Sequence, residues 1–138
     1  MMTTPSLEDA QAVLAAQPFS TMMGTVLSQY DDAGVTLELD LTPQHLQQHG
    51  YVHGGVQSYL ADNALTFAGG QRLGPAVLTA GINLTYLRPA AGEKLIARAS
   101  VQAATSRSAV TQVEISAIKD GQEYVCSVGS GTISAMGK

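Results

Sequence analysis

Asp62 is the only charged side chain between Gly54 and Gln71, inside the stretch with the least usual composition in the chain, YVHGGVQSYLADNALTFAGG. A lone carboxylate in such a setting has the chemistry of a general base on water or of a nucleophile. Ser58 and Thr66 stand four residues to either side of it, so on a helix the three share one face. That face lies roughly opposite an apolar stripe of Val56, Leu60, Ala64 and Phe67. A water-facing helix side normally carries several Lys, Glu or Arg, so two readings stand: a solvated polar face, or a face covered by something else. Upstream, His53-Gly54-Gly55 sits where this helix should begin. Unpaired N–H groups point outward there and favour negative charge, which suits the polarising of a carbonyl, and glycine lets a ligand approach closely. The bland alternative is that two glycines merely make the turn.

Asp62 is eight residues past Gly54. At 1.5 Å per residue the two are about 12 Å apart along one helix, too far to act on a single carbonyl carbon. Two such helices running antiparallel across a two-fold axis would set the helix start of one subunit beside the middle of the other, forming two equivalent sites.

The elements that must hold these residues follow from the rest of the chain. With 138 residues the prior is one domain over 1–138. Hydrophobic residues make up 45% and charged residues only 13%, a deficit that predicts surface covered by further copies of the chain. A homo-oligomer is expected. The net charge of -4 offers no basic field for nucleic acid. Residues 1–20 lack the pattern of a secretory leader, no run approaches a membrane helix, and Cys126 alone makes no internal disulfide. A cytoplasmic protein that meets neither membrane nor nucleic acid is the expectation.

Ser6, Glu8 and Asp9 with Leu7, Ala10, Val13 and Leu14 predict a short helix over about 6–17, stopped by Pro18. Phe19 to Tyr30 reads as strand, Asp31 to Gly34 as a turn, and Val35, Leu37, Leu39 and Leu41 alternate as a second strand. The long helix follows, with Gly69-Gly70 as its expected C-cap. Four alternating strands come after Pro75, around Ala80–Tyr86, Leu95–Val101, Val113–Ala117 and Tyr124–Val128. Their turns are expected at Pro89–Glu93, Thr105–Arg107 and Asp120-Gly121. One antiparallel sheet around a single long helix accommodates this order as an α+β domain.

The combination of Gly50, Val52, His53, Gly54 and Gly55 with Leu60, Ala61, Asp62 and Ala64, supported by YLRPA at Tyr86 to Ala90, resembles the hotdog-fold acyl-CoA thioesterases. The resemblance is particularly to the 4-hydroxybenzoyl-CoA and phenylacetate-pathway (PaaI-like) branch, and the likeness spans about Gly24 to Ile133. It implies a curved antiparallel sheet wrapped on a central helix, an acyl-CoA substrate, no cofactor and no metal. It also implies a dimer with shared sites, in turn a dimer of dimers. By that resemblance Asp62 is the catalytic carboxylate and Gly54 the N–H donor to the thioester oxygen, with Gly55 and Ser58 beside the substrate. His53 holds the turn or lies near the sulfur, and Thr66 holds the hydrolytic water. Gln47 stands where many relatives have Asn and would position water or assist the leaving thiolate. Arg88, Ser106, Arg107 and Ser108 would meet the CoA phosphates and nucleotide. Asp is one methylene shorter than the Glu of some relatives, which favours the general-base role slightly.

Competing readings are a zinc site from His45, His49 and His53, which Gly50, Gly54 and Gly55 disfavour by interrupting the helix it needs, and a Ser58–His53–Asp62 triad, for which no nucleophile elbow is present. Cys126 reads as a small core residue, and Gly69-Gly70 is too short for a nucleotide loop. An enoyl-CoA hydratase or dehydratase, or a non-catalytic acyl-CoA-binding module, would use the same scaffold. Tyr59, Phe67 and Met22 or Met23 are candidates for an acyl pocket or for plain core.

Overall fold

The computed structural model describes residues 5–137. Helix α1 (Leu7–Ala15) opens on a capping box: Ser6 Oγ accepts the Asp9 N–H while the Asp9 carboxylate accepts the Ser6 N–H, satisfying two end groups reciprocally. It stops ahead of Pro18, as expected. Pro18 does a second thing: it occupies the first turn of a short helix α2 (Pro18–Met23), where its fixed φ and missing N–H cost nothing. The expected strand from Phe19 is therefore corrected; it begins only at Thr25, after Gly24 closes α2 with φ 86°.

Strands β1 (Thr25–Asp31) and β2 (Gly34–Asp40) form the first hairpin, and a single 3₁₀ turn at Pro43–His45 leads towards the long helix α3 (Gly54–Leu73). Then come β3 (Val77–Tyr86), β4 (Lys94–Ala104), β5 (Ser108–Lys119) and β6 (Gln122–Ala135). The six strands make one antiparallel sheet in the order β1-β2-β4-β5-β6-β3. This is the α+β hotdog arrangement, with α3 as the filling. Leu60, Ala61, Ala64, Leu65 and Ala68 of α3 are buried against Leu37, Leu39, Leu95, Ala97, Ile115 and Ile133 of the sheet.

Gly69-Gly70 does not cap α3. The helix runs on to Leu73 and ends at Gly74 with φ 91°. The physical reason is packing: a Cβ on Gly69 would stand 2.6 Å from Ile133 Cβ, so the glycine lets α3 lie directly on β6.

On the sheet's other face, Arg98 grips Glu123 with two hydrogen bonds of 2.7 and 3.1 Å, and Lys94 bonds Glu38 at 2.9 Å. These bonds hold the Glu123 carboxyl below its ordinary range; for Glu38 a Ser28 hydroxyl contributes most, then Lys94. Among the described residues strand β3 pairs only with β6, which leaves its other edge without a strand partner there. It is exposed along most of its length, including Leu78 (61%) and Tyr86 (51%), a long apolar edge of the kind that proteins seldom leave open.

Candidate active site

The two halves expected of the site are present at separate points of α3. At its start, His53 is the N-cap residue, and its Nδ1 accepts the Gly55 N–H at 2.8 Å. The ring proton of the neutral imidazole therefore lies on Nε2. The Val56 N–H reaches back to the His53 carbonyl at 2.9 Å. The Gly54 N–H, at the first helical position, bonds none of the described residues, as the end of a helix dictates. Gly55 has no room for a side chain, since a Cβ would come 2.9 Å from His53 Nδ1.

Gln47 sits below this helix start, in the loop closed by the Leu46–Val52 bridge. Its Oε1 accepts the backbone N–H groups of His49 and Tyr51, so that oxygen builds the loop and the Nε2 end remains for other contacts. Gln47, Gly54 and Arg88 line one depression of about 410 Å³ together with Tyr51, Gln57 and Tyr86. Tyr86 was no sequence candidate for the site. Its hydroxyl donates to the Gly54 carbonyl at 2.9 Å, and its ring lies 3.5 Å from where a Gly54 Cβ would be.

Further along α3, Ser58, Asp62 and Thr66 share one half-buried face. Asp62 Oδ1 accepts from Thr79 Oγ1 at 2.6 Å and from Thr66 Oγ1 at 3.3 Å. Thr66 also donates to the Asp62 backbone carbonyl at 2.8 Å and lies 2.8 Å from Thr79 Oγ1. The Thr79 hydroxyl is thus the main donor to this carboxylate oxygen, while the single Thr66 proton goes chiefly to the closer backbone carbonyl. Thr79 comes from β3 and no sequence signal pointed to it, because strand register alone brings it to Asp62.

Beside this carboxylate, between α1, α3 and the start of β3, lies a cavity of about 540 Å³ walled by Val13, Tyr30, Phe67, Pro75 and Val77, with Asp9, Gln17, Asn63 and Thr66 as polar lining. Tyr30 and Phe67 meet edge to face at 6.4 Å, and burial pushes the Tyr30 phenol up, so it stays neutral. Of the four residues expected at an acyl pocket, only Phe67 lines it. Tyr59 is tied to Thr25 and Ser20 by hydrogen bonds and met edge to face by Phe19, Met22 is 71% exposed, and Met23 packs on the core.

The phosphate-binding candidates are not together. Arg88 follows the end of β3, whereas Ser106 and Arg107, in the β4–β5 turn, and Ser108, which starts β5, lie at the strand's other end, where Ser108 pairs with Ser134 and Ser134 with Leu78. At 3.3 Å per residue the length of β3 separates them by about 30 Å within one chain.

The histidines are dispersed. His45 is buried, its Nδ1 accepting the Thr42 N–H and its Nε2 lying 3.1 Å from the Met23 carbonyl, and the described residues contain no group of three metal-ligating side chains. Cys126 is buried in β6 and desolvation raises its thiol pKa, in keeping with a core role. No helix of the described residues is long and apolar enough to cross a membrane.

Comparison with known proteins gives this arrangement its context. The model of the thioesterase superfamily matches residues 49–124, which contain both halves of the site. Acyl-coenzyme A thioesterase PaaI of Escherichia coli is 27% identical over 115 residues, covering 83% of this chain and 81% of that protein. A thioesterase family protein from Silicibacter pomeroyi superimposes with a TM-score of 0.85 at 26% identity, covering 93% of each chain. A thioesterase from Haemophilus influenzae gives 0.82 at 25% identity, covering 96% of this chain and 91% of its own. The chain belongs to the thioesterase superfamily, and is a thioester hydrolase built on the hotdog fold.

Proposed function

We propose that the protein hydrolyses acyl-CoA thioesters in sites shared by two copies of the chain, the described sheet and helix acting as one catalytic unit. The carrying observation is the separation of the two halves on one helix. The free Gly54 N–H and the Asp62 carboxylate are about 12 Å apart along α3, yet each is contacted from the free-edged strand, Gly54 by Tyr86 and Asp62 by Thr79. Positions 79 and 86 are equally far from the Ile82–Asn83 centre of β3. Antiparallel pairing of two β3 edges about that centre would set Thr79 of the partner subunit opposite Tyr86, and with it carry Asp62 of the partner subunit towards Gly54. An isologous interface of this kind makes two identical sites and covers the exposed apolar edge. Phe19, Met22 and Val26, all more than half exposed, leave surface for a second association into a dimer of dimers.

In such a site the Gly54 N–H polarises the thioester carbonyl. Asp62 of the partner subunit takes a proton from water as the water oxygen bonds to the carbonyl carbon, and the C=O pair moves onto oxygen opposite the helix start. The oxyanion then collapses, the C–S bond breaks, and the CoA thiolate leaves with the proton. The thioester is electrophilic enough that these groups suffice. His53 acts by fixing the helix start, Gln47 by its Nε2 near the leaving group, and Thr66 by helping to place water. The cavity beside Asp62, several times the roughly 150 Å³ that holds benzene, takes the acyl group, an aryl or medium-length chain. Arg88 from one copy and Ser106, Arg107 and Ser108 from the other meet the CoA phosphates and nucleotide. The naming of the Escherichia coli relative as an acyl-coenzyme A thioesterase supports CoA as the carrier.

The test is thiol release from a panel of aryl and aliphatic acyl-CoA esters, with Asp62→Asn alongside. Release from at least one ester, and a fall of about a hundredfold or more in the folded Asn variant, is expected for loss of the base. Silence across the panel, or near-normal turnover by Asp62→Asn, overturns the reading.

A further inference from the structure

Gln57 is a buried polar residue of which the fold uses only one end. It lies in the second turn of α3, three residues after Gly54, and is only 3% exposed. A buried side-chain amide has to satisfy both of its ends. One end is met: Ser127 Oγ, itself fully buried on β6, donates to Gln57 Oε1 at 2.8 Å. The other end bonds none of the described residues and is not among their fully enclosed unpartnered atoms, and Gln57 is a wall of the depression that also holds Gly54, Gln47, Tyr86 and Arg88. Helical side chains lean back over the turn N-terminal to their own Cα, so the Gln57 carboxamide leans towards the helix start. Ser127 holds the oxygen end of the amide, and the pairing of Ser127 with Tyr86 in the β6–β3 register ties that anchor to the strand that also holds Gly54.

We propose that Gln57 Nε2 is a second hydrogen-bond donor to the thioester carbonyl oxygen, acting beside the Gly54 N–H, with Ser127 as its positioning residue. This rests on the acyl-CoA thioesterase reading above. Two donors converging on one oxygen hold the charge that appears when water adds and is lost when the C–S bond breaks. Their geometry is set before substrate arrives, which is what makes such donors effective.

The experiment compares Gln57→Met, Gln57→Glu and the parent protein on the best ester of the panel. Met keeps the bulk and deletes the donor; kcat is expected to fall about a hundredfold with KM within about threefold, the signature of a bond made in the transition state. Glu keeps the acceptor that Ser127 bonds but presents a carboxylate where the N–H was. Its rate relative to the parent is expected to rise as pH is lowered, because the protonated carboxyl regains a donor. Binding of a stable acyl-CoA analogue, with CH₂ in place of the thioester sulfur and the carbonyl kept, is expected to stay within about threefold in Gln57→Met, because the uncharged carbonyl gains little from the donor. A folded Gln57→Met with more than about a third of the parental kcat, or a Glu-to-parent ratio flat with pH, overturns the role of Gln57. Failure of the parent itself to hydrolyse any ester fails the underlying reading, whereas an active parent with an indifferent Gln57 fails this inference alone.

Discussion

Gly54→Pro isolates the helix-start amide with unusual cleanliness. Proline removes one hydrogen atom of interest, the Gly54 N–H, which bonds none of the described residues. The first helical position tolerates proline best, because that N–H has no helical partner to lose. The residue before a proline must be extended, and His53 already has φ -58° and ψ 134°. Gly54 itself is helical and not among the positive-φ glycines. A Cβ there would be 3.5 Å from the nearest atoms of Tyr86, an ordinary contact, and the Gly54 carbonyl that accepts the Tyr86 hydroxyl is retained. Stability should therefore hold or rise by up to about 1 kcal/mol, through reduced freedom of the unfolded chain. Activity should move the other way. Loss of one donor to a developing oxyanion costs about 2.7–4 kcal/mol, a fall in kcat of about a hundred- to a thousandfold. Gly54→Ala is the control: it adds the Cβ but keeps the N–H, and should stay within about threefold of the parent. The assay is thiol release at saturating acyl-CoA, with thermal unfolding of all three proteins in parallel. A folded Gly54→Pro protein that keeps more than about a tenth of the parental kcat refutes the assignment of that amide.

Other outcomes follow from the same geometry. If each site draws on two copies, subunits of inactive Asp62→Asn and inactive Gly54→Pro exchanged at equal ratio should recover about a quarter of parental activity, because half the dimers are mixed and each has one intact site; no recovery after proven exchange would argue for sites within one chain. Gly69→Ala places a Cβ 2.6–2.8 Å from three atoms of Ile133, so an overpacking cost of about 1–3 kcal/mol should outweigh a helix-propensity gain of about 1 kcal/mol or less, read as a lower denaturant midpoint. The carboxyls of Glu38 and Glu123 are held below their ordinary 4.5 in the folded protein, so their contribution is full above that value and is lost as pH falls through the lower folded one. Melting temperature should accordingly drop on acidification below about pH 4.5, and less steeply in an Arg98→Met, Lys94→Met protein, whose partners have gone; identical acid limbs would count against these pairs.

Much of the fold and part of the site are legible in the amino-acid order, and the division has a cause. Helical spacing is local, so the shared face of Ser58, Asp62 and Thr66, the glycine turn at Gly54 and the distance between them follow from residue numbers alone. Strand alternation is local too, and β1 to β6 lie close to where period-two patterns place them. The misreadings fall where one segment answers to another. Phe19 to Met23 has strand-compatible residues but lies between Pro18 and a left-handed Gly24, which together enclose a helical turn. Gly69-Gly70 has the chemistry of a cap, yet serves the approach of β6.

Thr79 reaches Asp62, Tyr86 reaches Gly54, and Ser127 holds Gln57 only because β3 lies beside β6 and both cross α3 at one register. The same strand order sets Arg88 and the Ser106–Ser108 turn at opposite ends of the sheet. Periodicity in a sequence reports which way a side chain faces within its own element. Which element it then meets depends on long-range pairing, whose energy is spread over the whole sheet and core, and only the assembled tertiary structure decides it.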